Sequence, residues 1–197
     1  LRDLDAALAE LDIVLKQGAR TIGFRPGPVN GRHPTDPYFD PFWARCNEAH
    51  ITVAIHLAEA GYNEILGPAW GEDPNLMAMR QSAFQWYAMY GTRPIMDTIA
   101  SIIFSNFFET YPNIMVMSVE NGAEWVPQML KDMDKCRGLA RNGAWLRGRP
   151  KERPSEIARK HLRVTPYPED DVPKLLDLIG NTDIIVFGSD WPHAEGT

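Results

Sequence analysis

Ile51-Thr52-Val53-Ala54-Ile55-His56 is the stretch on which the reading of the fold turns. The first five residues form a nearly unbroken apolar run, the pattern of a strand whose two faces are both covered in a parallel sheet. A histidine follows directly at the carboxyl end of that strand. Upstream, Leu4, Leu8, Leu11 and Leu15 recur at helical spacing, and Gly18 is placed to end the helix. Thr21-Ile22-Gly23-Phe24-Arg25 then reads as a short strand closed by Pro26-Gly27-Pro28, and residues 41–49 as the next helix. Downstream lie a long Gly- and Pro-containing stretch over 57–75, helical patterns over 76–89 and 94–109, and a strand at Ile114-Met115-Val116-Met117-Ser118-Val119. The pattern then continues with a helix over 123–135, a basic connector over 137–154 that reads as a solvated loop, and a weaker strand over 161–165. A helix over 171–179 and a fifth strand over 183–187 complete it. Strands separated by helical crossovers predict an α/β fold on a parallel sheet. With no short repeat, low-complexity tract or linker, residues 1–197 read as one domain.

Composition narrows the function classes. Lys and Arg number 20 against 26 Asp and Glu, a net charge of −6, so the chain lacks the basic balance that phosphate binding draws on, and no nucleic-acid partner is expected. The most apolar region, 95–108, is interrupted by Asp97, Ser101, Ser105 and Asn106 and is too short to cross a bilayer, so no membrane partner is expected. Cys46 and Cys136 have no metal-ligand spacing and read as buried thiols in a reducing compartment. With no charged-then-apolar leader at the start, a cytoplasmic location is expected. The chain opens in a helical pattern without Met and stops soon after an apolar strand, which reads as a piece of a longer protein. The two strand edges left open in such a piece predict poor solubility or self-association of the isolated chain, and a homo-oligomer stands among the partners to test.

The chemically capable residues collect after the strands. Arg25 ends the first, His56 the second, and Glu120 and Asn121 follow the third. Asp190 and His193 follow the fifth, within Phe187-Gly188-Ser189-Asp190-Trp191-Pro192-His193. In parallel α/β folds the carboxyl ends of the strands open on one crevice or mouth, so these groups are expected to converge. There is no GxGxxG after the first strand and no Walker loop, which leaves the nucleotide-binding version of the fold without its signature.

Ala54-Ile55-His56, Glu120-Asn121-Gly122 and Gly188-Ser189-Asp190-Trp191-Pro192-His193 together resemble the amidohydrolase-related family. This is the group of metal-dependent TIM-barrel hydrolases and decarboxylases that includes aminocarboxymuconate-semialdehyde decarboxylase. Phe24-Arg25-Pro26-Gly27-Pro28, Asp40-Pro41-Phe42-Trp43 and Tyr111-Pro112-Asn113 support the resemblance, which runs in register along nearly the whole chain. It implies a (β/α)8 barrel of which this chain supplies about strands four to eight, with the first-strand metal ligands lying before Leu1. It further implies that His56 and Asp190 are metal ligands. The decarboxylases place a proton-handling histidine after the sixth strand, where this chain has Glu120.

The residue types support such chemistry independently. Imidazole and carboxylate ligands with an open position suit Zn²⁺, with manganese as the other choice, and a bound ion lowers the pKa of water from about 15.7 toward ~7. Asp190 is suited both to bind the ion and to accept a proton, Glu120 to handle protons, and His193 to reach substrate or support a ligand. Arg25 is suited to a substrate carboxylate or to a neighbouring acid, and Asn121 is a second candidate for substrate contact. Each has a structural alternative: Asp190 as a turn cap, and Glu120-Asn121-Gly122 as a turn and helix start. His33 lies in a Pro/Gly loop, while His50 and His161 read as structural. The expected function is a metal-dependent hydrolase of a small organic molecule acting through an activated water. The alternatives are a nonoxidative decarboxylase of an aromatic or unsaturated acid and a metal-free barrel with a binding role.

Overall fold

A computed structural model describes residues 1–75 and 79–193, and its centre is a parallel sheet. Helix α1 (Leu4–Lys16) starts where Asp3 accepts a hydrogen bond from the Ala6 amide at 3.0 Å, and leads into β1 (Thr21–Phe24). Helix α2 (Asp40–Glu48) and β2 (Thr52–His56) follow. Among the described residues, the stretch after β2 holds the short helix α3 (Tyr62–Ile65), a 3₁₀ turn over Gly67–Trp70, and the short helix α4 (Ala83–Gln85), which runs into a π turn over Trp86–Tyr90. Next come α5 (Thr92–Phe104), α6 (Phe107–Thr110), β3 (Met115–Val119) and α7 (Val126–Leu139). Helix α8 (Pro154–His161), β4 (Leu162–Val164) and α9 (Val172–Ile179) complete the order. The strands are all parallel in the order β1-β2-β3-β4, so chain neighbours are sheet neighbours. The register pairs Phe24 with Ile55, His56 with Val119, and Ser118 with Val164.

Alternation along the strands separates two faces. Val53, Ile55, Val116, Leu162 and Val164 are buried in one core with Phe42, Trp43, Ile95, Ile99, Ile103 and Met129 from the helices. Thr52, Ala54, Met115, Met117 and Val119 point the other way and stay half-buried, so the helices cover one face of β2 and β3 rather than both. His56 shares this second face by the two-residue period.

Several sequence expectations are corrected. The expected strand over 183–187 is a single parallel bridge, Val164 to Ile185, made by the Val164 amide to the Ile184 carbonyl at 2.7 Å and the Val186 amide to the Val164 carbonyl at 3.0 Å. The ladder stops because β4 is short and Pro166 has no amide to extend it. The expected helix over 94–109 breaks at Asn106, whose φ of 60° is tolerated by a short polar side chain. Within the expected 76–89 helix, residues 76–78 lie outside the described residues, and a Ser82–Gln85 capping box starts the helix that is described. Helix α8, between the expected connector over 137–154 and strand over 161–165, begins with Pro154 in its first turn. Cys46 is buried, with its thiol pushed up to about 12 by burial, but Cys136 is exposed rather than buried. Among the described residues, no helix is long and apolar enough to cross a membrane.

Two buried side chains yield stability predictions. Phe107, 2% exposed, packs edge-on to Trp43 with ring centres 5.2 Å apart and against Tyr111 at 5.0 Å. Phe107→Ala is expected to cost about 3–5 kcal/mol in urea unfolding. His161 stacks on Phe108 at 4.2 Å and directs Nδ1 to the Ile114 carbonyl at 3.0 Å; burial is the main cause that lowers its pKa from 6.5. The unfolded chain therefore binds the proton first as pH falls, and the stability that the neutral ring contributes is lost below about pH 6.5. His161→Phe should flatten part of the stability decline between about pH 7 and about pH 5 in chemical denaturation; an unchanged profile would refute this account.

Candidate active site

The parallel register alone brings the first two groups together. His56 closes β2 opposite Val119, and Glu120 is the next residue after β3. The chain takes a left-handed turn at Glu120, φ 57°, and its carboxylate Oε2 lies 3.2 Å from His56 Nε2. His56 Nδ1 lies 2.8 Å from the Leu57 carbonyl, which can only accept, so Nδ1 carries the proton and Nε2 presents its lone pair.

The third and fourth groups arrive from the segment after the Ile185 bridge. Gly188 passes so close to β4 that a Cβ there would lie 3.1 Å from Thr165 Cγ2, which lets the backbone reach the mouth of the sheet. Asp190 also adopts a left-handed backbone, φ 54°, and the His193 amide closes a turn onto the Asp190 carbonyl at 2.9 Å. That turn sets His193 Nδ1 at 3.2 Å from Asp190 Oδ1 and 3.5 Å from Glu120 Oε1.

Glu120 is thus the hub of the cluster. Its carboxyl pKa is raised, first by burial and then by a hydrogen bond with Asp190, against the opposing pull of His56 and His193. Two carboxylates in contact, with an imidazole lone pair facing one of them, form a set of electron-pair donors that a proton or a divalent cation would hold together. Asp190, Glu120 and His193 each offer a ligand atom, all within 4.8 Å of one another, and His56 Nε2 borders the group. The donor set therefore fits a divalent metal. The cluster opens on a cavity of about 530 Å³ whose walls include Leu57, Val119, Thr165, Pro166, Tyr167 and Pro168.

The other candidates sit elsewhere. Arg25 gives Nη1 to the Glu59 carbonyl at 3.2 Å and to Glu59 Oε2 at 3.4 Å, while Glu59 also accepts from the Gly61 amide at 2.7 Å. Its guanidinium is thereby tied to an acid on the chain. Asn121, expected at the substrate, is buried, and its amide donates to Ser118 Oγ at 3.2 Å and the Val119 carbonyl at 2.7 Å, so it holds the turn and does not line the cavity. His33 accepts at Nδ1 from the Thr35 amide and borders a different, mostly apolar cavity with Ser101, Phe104 and Trp145. His50 sits just beyond α2 with φ 52°, a structural position. The sequence reading missed the Thr165–Glu169 wall, whose only signal was its place after a strand.

This chain belongs to the amidohydrolase family, whose sequence model matches residues 1–197. It resembles an amidohydrolase from Mycobacterium avium subsp. paratuberculosis K-10, with 36% identity and a TM-score of 0.82, covering 100% of this chain and 48% of that one. A 5-carboxyvanillate decarboxylase from Novosphingobium aromaticivorans DSM 12444, complexed with manganese and 4-hydroxy-3-methoxy-5-nitrobenzoic acid, is 19% identical with a TM-score of 0.73 over 98% of this chain and 53% of that one. A dihydroxybenzoic acid decarboxylase from Polaromonas sp. JS666, with bound manganese and the inhibitor 2-nitroresorcinol, is 18% identical with a TM-score of 0.64 over 100% of this chain and 57% of that one. At those lower identities the likeness is one of fold. The chain spans about half the length of these solved relatives, so its strands form part of a TIM barrel. No curated protein matches the chain.

The cluster predicts metal content directly. In the whole protein, His56→Ala and Asp190→Ala are each expected to lose bound divalent metal by elemental analysis, while His50→Ala keeps it. Stoichiometric metal in both site variants would move the metal site elsewhere.

Proposed function

We propose that this chain carries the metal-binding and proton-handling part of a metal-dependent hydrolase that acts on a small organic molecule with water as nucleophile. The observation that carries the reading is the Glu120 carboxylate, in contact with Asp190, His56 and His193 beside a cavity of about 530 Å³. His56, through the lone pair fixed on Nε2, and Asp190 hold a divalent ion; zinc suits this nitrogen and oxygen set, and manganese suits it too. When bound, the ion supplies Lewis acidity and brings water within reach of deprotonation near neutral pH.

Glu120 supplies the other half of the chemistry. With its pKa raised by burial and by Asp190, its carboxylate takes the proton of the attacking water and returns it to the leaving group. His193 Nδ1, between the two carboxylates, orients both by donating a proton toward them. Val119, Pro166 and Tyr167 shape the apolar wall that receives the substrate and excludes bulk water. Arg25 is a substrate-carboxylate group only if that carboxylate displaces Glu59. A cytoplasmic setting accords with the unpaired thiols of Cys46 and Cys136.

A second reading is a nonoxidative decarboxylase. The protonated form of Glu120, favoured by its raised pKa, is suited to deliver a proton to carbon as CO₂ departs, and decarboxylases share the fold.

Isotope labelling separates the two. The whole protein, loaded with zinc or manganese, is assayed in ¹⁸O-water against panels of lactones, amides and aromatic acids. Hydrolysis places one ¹⁸O in the product acid, and Glu120→Gln is expected to slow it by about 100- to 10,000-fold while leaving metal content unchanged. Release of CO₂ without label in the product would replace this reading by the second, and turnover untouched by Glu120→Gln would remove Glu120 from the chemistry.

A further inference from the structure

We propose that Tyr167 and Asp170 are positioning residues that set the conformation of Glu120, a role that rests on the reading of Glu120 given above. Glu120 has a left-handed backbone, φ 57°, that side-chain-bearing residues rarely adopt, and such a conformation persists only where its surroundings impose it. The imposing contacts come from the loop after β4, 47 residues along the chain. Tyr167 donates its hydroxyl to the Glu120 carbonyl at 2.8 Å, fixing the peptide plane that follows Glu120.

Asp170 holds the other end of the same turn. Its Oδ2 accepts from the Ala123 amide at 2.7 Å and from the Tyr167 amide at 2.9 Å, so one oxygen ties the turn to the loop that carries the tyrosine. Gly122 completes the fit. Its φ is 63°, and a Cβ there would lie 2.7 Å from Tyr167 Cδ2, so the ring is seated against a position that only glycine leaves open. The contacts bracket the turn on both sides, and the carboxylate that projects from it reaches His56, Asp190 and His193. Tyr167 also lines the cavity beside Glu120, so the group that fixes the backbone shares a wall with the bound molecule.

Cobalt spectroscopy tests this without a known substrate, because its visible bands report the geometry around the ion. The whole protein is loaded with Co²⁺, and four variants are compared with it by visible absorption, Co²⁺ titration and thermal unfolding. Glu120→Gln should shift the bands, since the side chain borders both proposed ligands. Tyr167→Phe keeps the ring on Gly122 and removes only the bond to the Glu120 carbonyl. It should shift the bands in the same sense as Glu120→Gln while Co²⁺ still binds at one equivalent, because the bond acts on Glu120 and not on a residue that holds the ion. Asp170→Ala should do likewise, and Asp170→Asn, which keeps an acceptor oxygen, should restore part of the wild-type spectrum. If Glu120→Gln shifts the bands and Tyr167→Phe does not, whatever happens to its melting temperature, the pair is a structural staple only and the proposal fails. If Glu120→Gln itself leaves the spectrum unchanged, the site reading fails and takes the proposal with it.

Discussion

Parallel hydrogen bonding between β2 and β3 is the constraint on which the site depends. A parallel ladder points every carboxyl end the same way, and its register sets which residues emerge side by side. Pairing His56 with Val119 leaves Glu120 as the first residue free of the ladder, within reach of the imidazole. A one-residue slip would carry His56 to the helix-covered face and abolish the contact. The buried run of Val53, Ile55 and Val116 resists that slip, because it would expose the core. Core packing and the site are therefore two consequences of one register.

The acids at the mouth are held by a strained backbone. Glu120 and Asp190 both have positive φ, and each is braced by hydrogen bonds to its neighbours. Around Glu120 the bracing is dense: Asn121 ties back to Ser118 and Val119, and the Trp125 indole donates to the Asn121 and Gly122 carbonyls at 3.1 and 2.8 Å. Polar side chains that look functional in sequence are thus spent on geometry. The carboxylates they support are left facing each other, where burial and mutual repulsion raise the pKa of Glu120.

The same division separates Arg25 from the cluster. Its place at the end of β1 is equivalent, one strand over, to that of His56, yet Glu59 engages its guanidinium. Glu59 comes from the loop after β2 and also braces the Gly61 amide. A strand-end position brings a residue to the correct side of the sheet; a loop from another strand decides whether its charge stays available.

How much of this was legible depends on the range of the interactions involved. Strand identity is local: the apolar run at 51–55, the leucine spacing of α1 and the turn residues around Gly27 fix periodicity and capping within a few residues. Hence the sequence by itself determined the α/β alternation, the parallel sheet and the side on which His56, Glu120 and Asp190 lie. The family motifs are equally local and fixed the barrel class. It could not reveal that the 183–187 segment makes one bridge, because a ladder needs a partner, and Pro166 denies it one. Nor could it show Asn121 turned inward, Arg25 paired with Glu59, or Tyr167 bonded to Glu120 across 47 positions. Those were decided only by tertiary structure, because a side chain's partner depends on which loops the closed sheet brings together, and no local propensity encodes that distance.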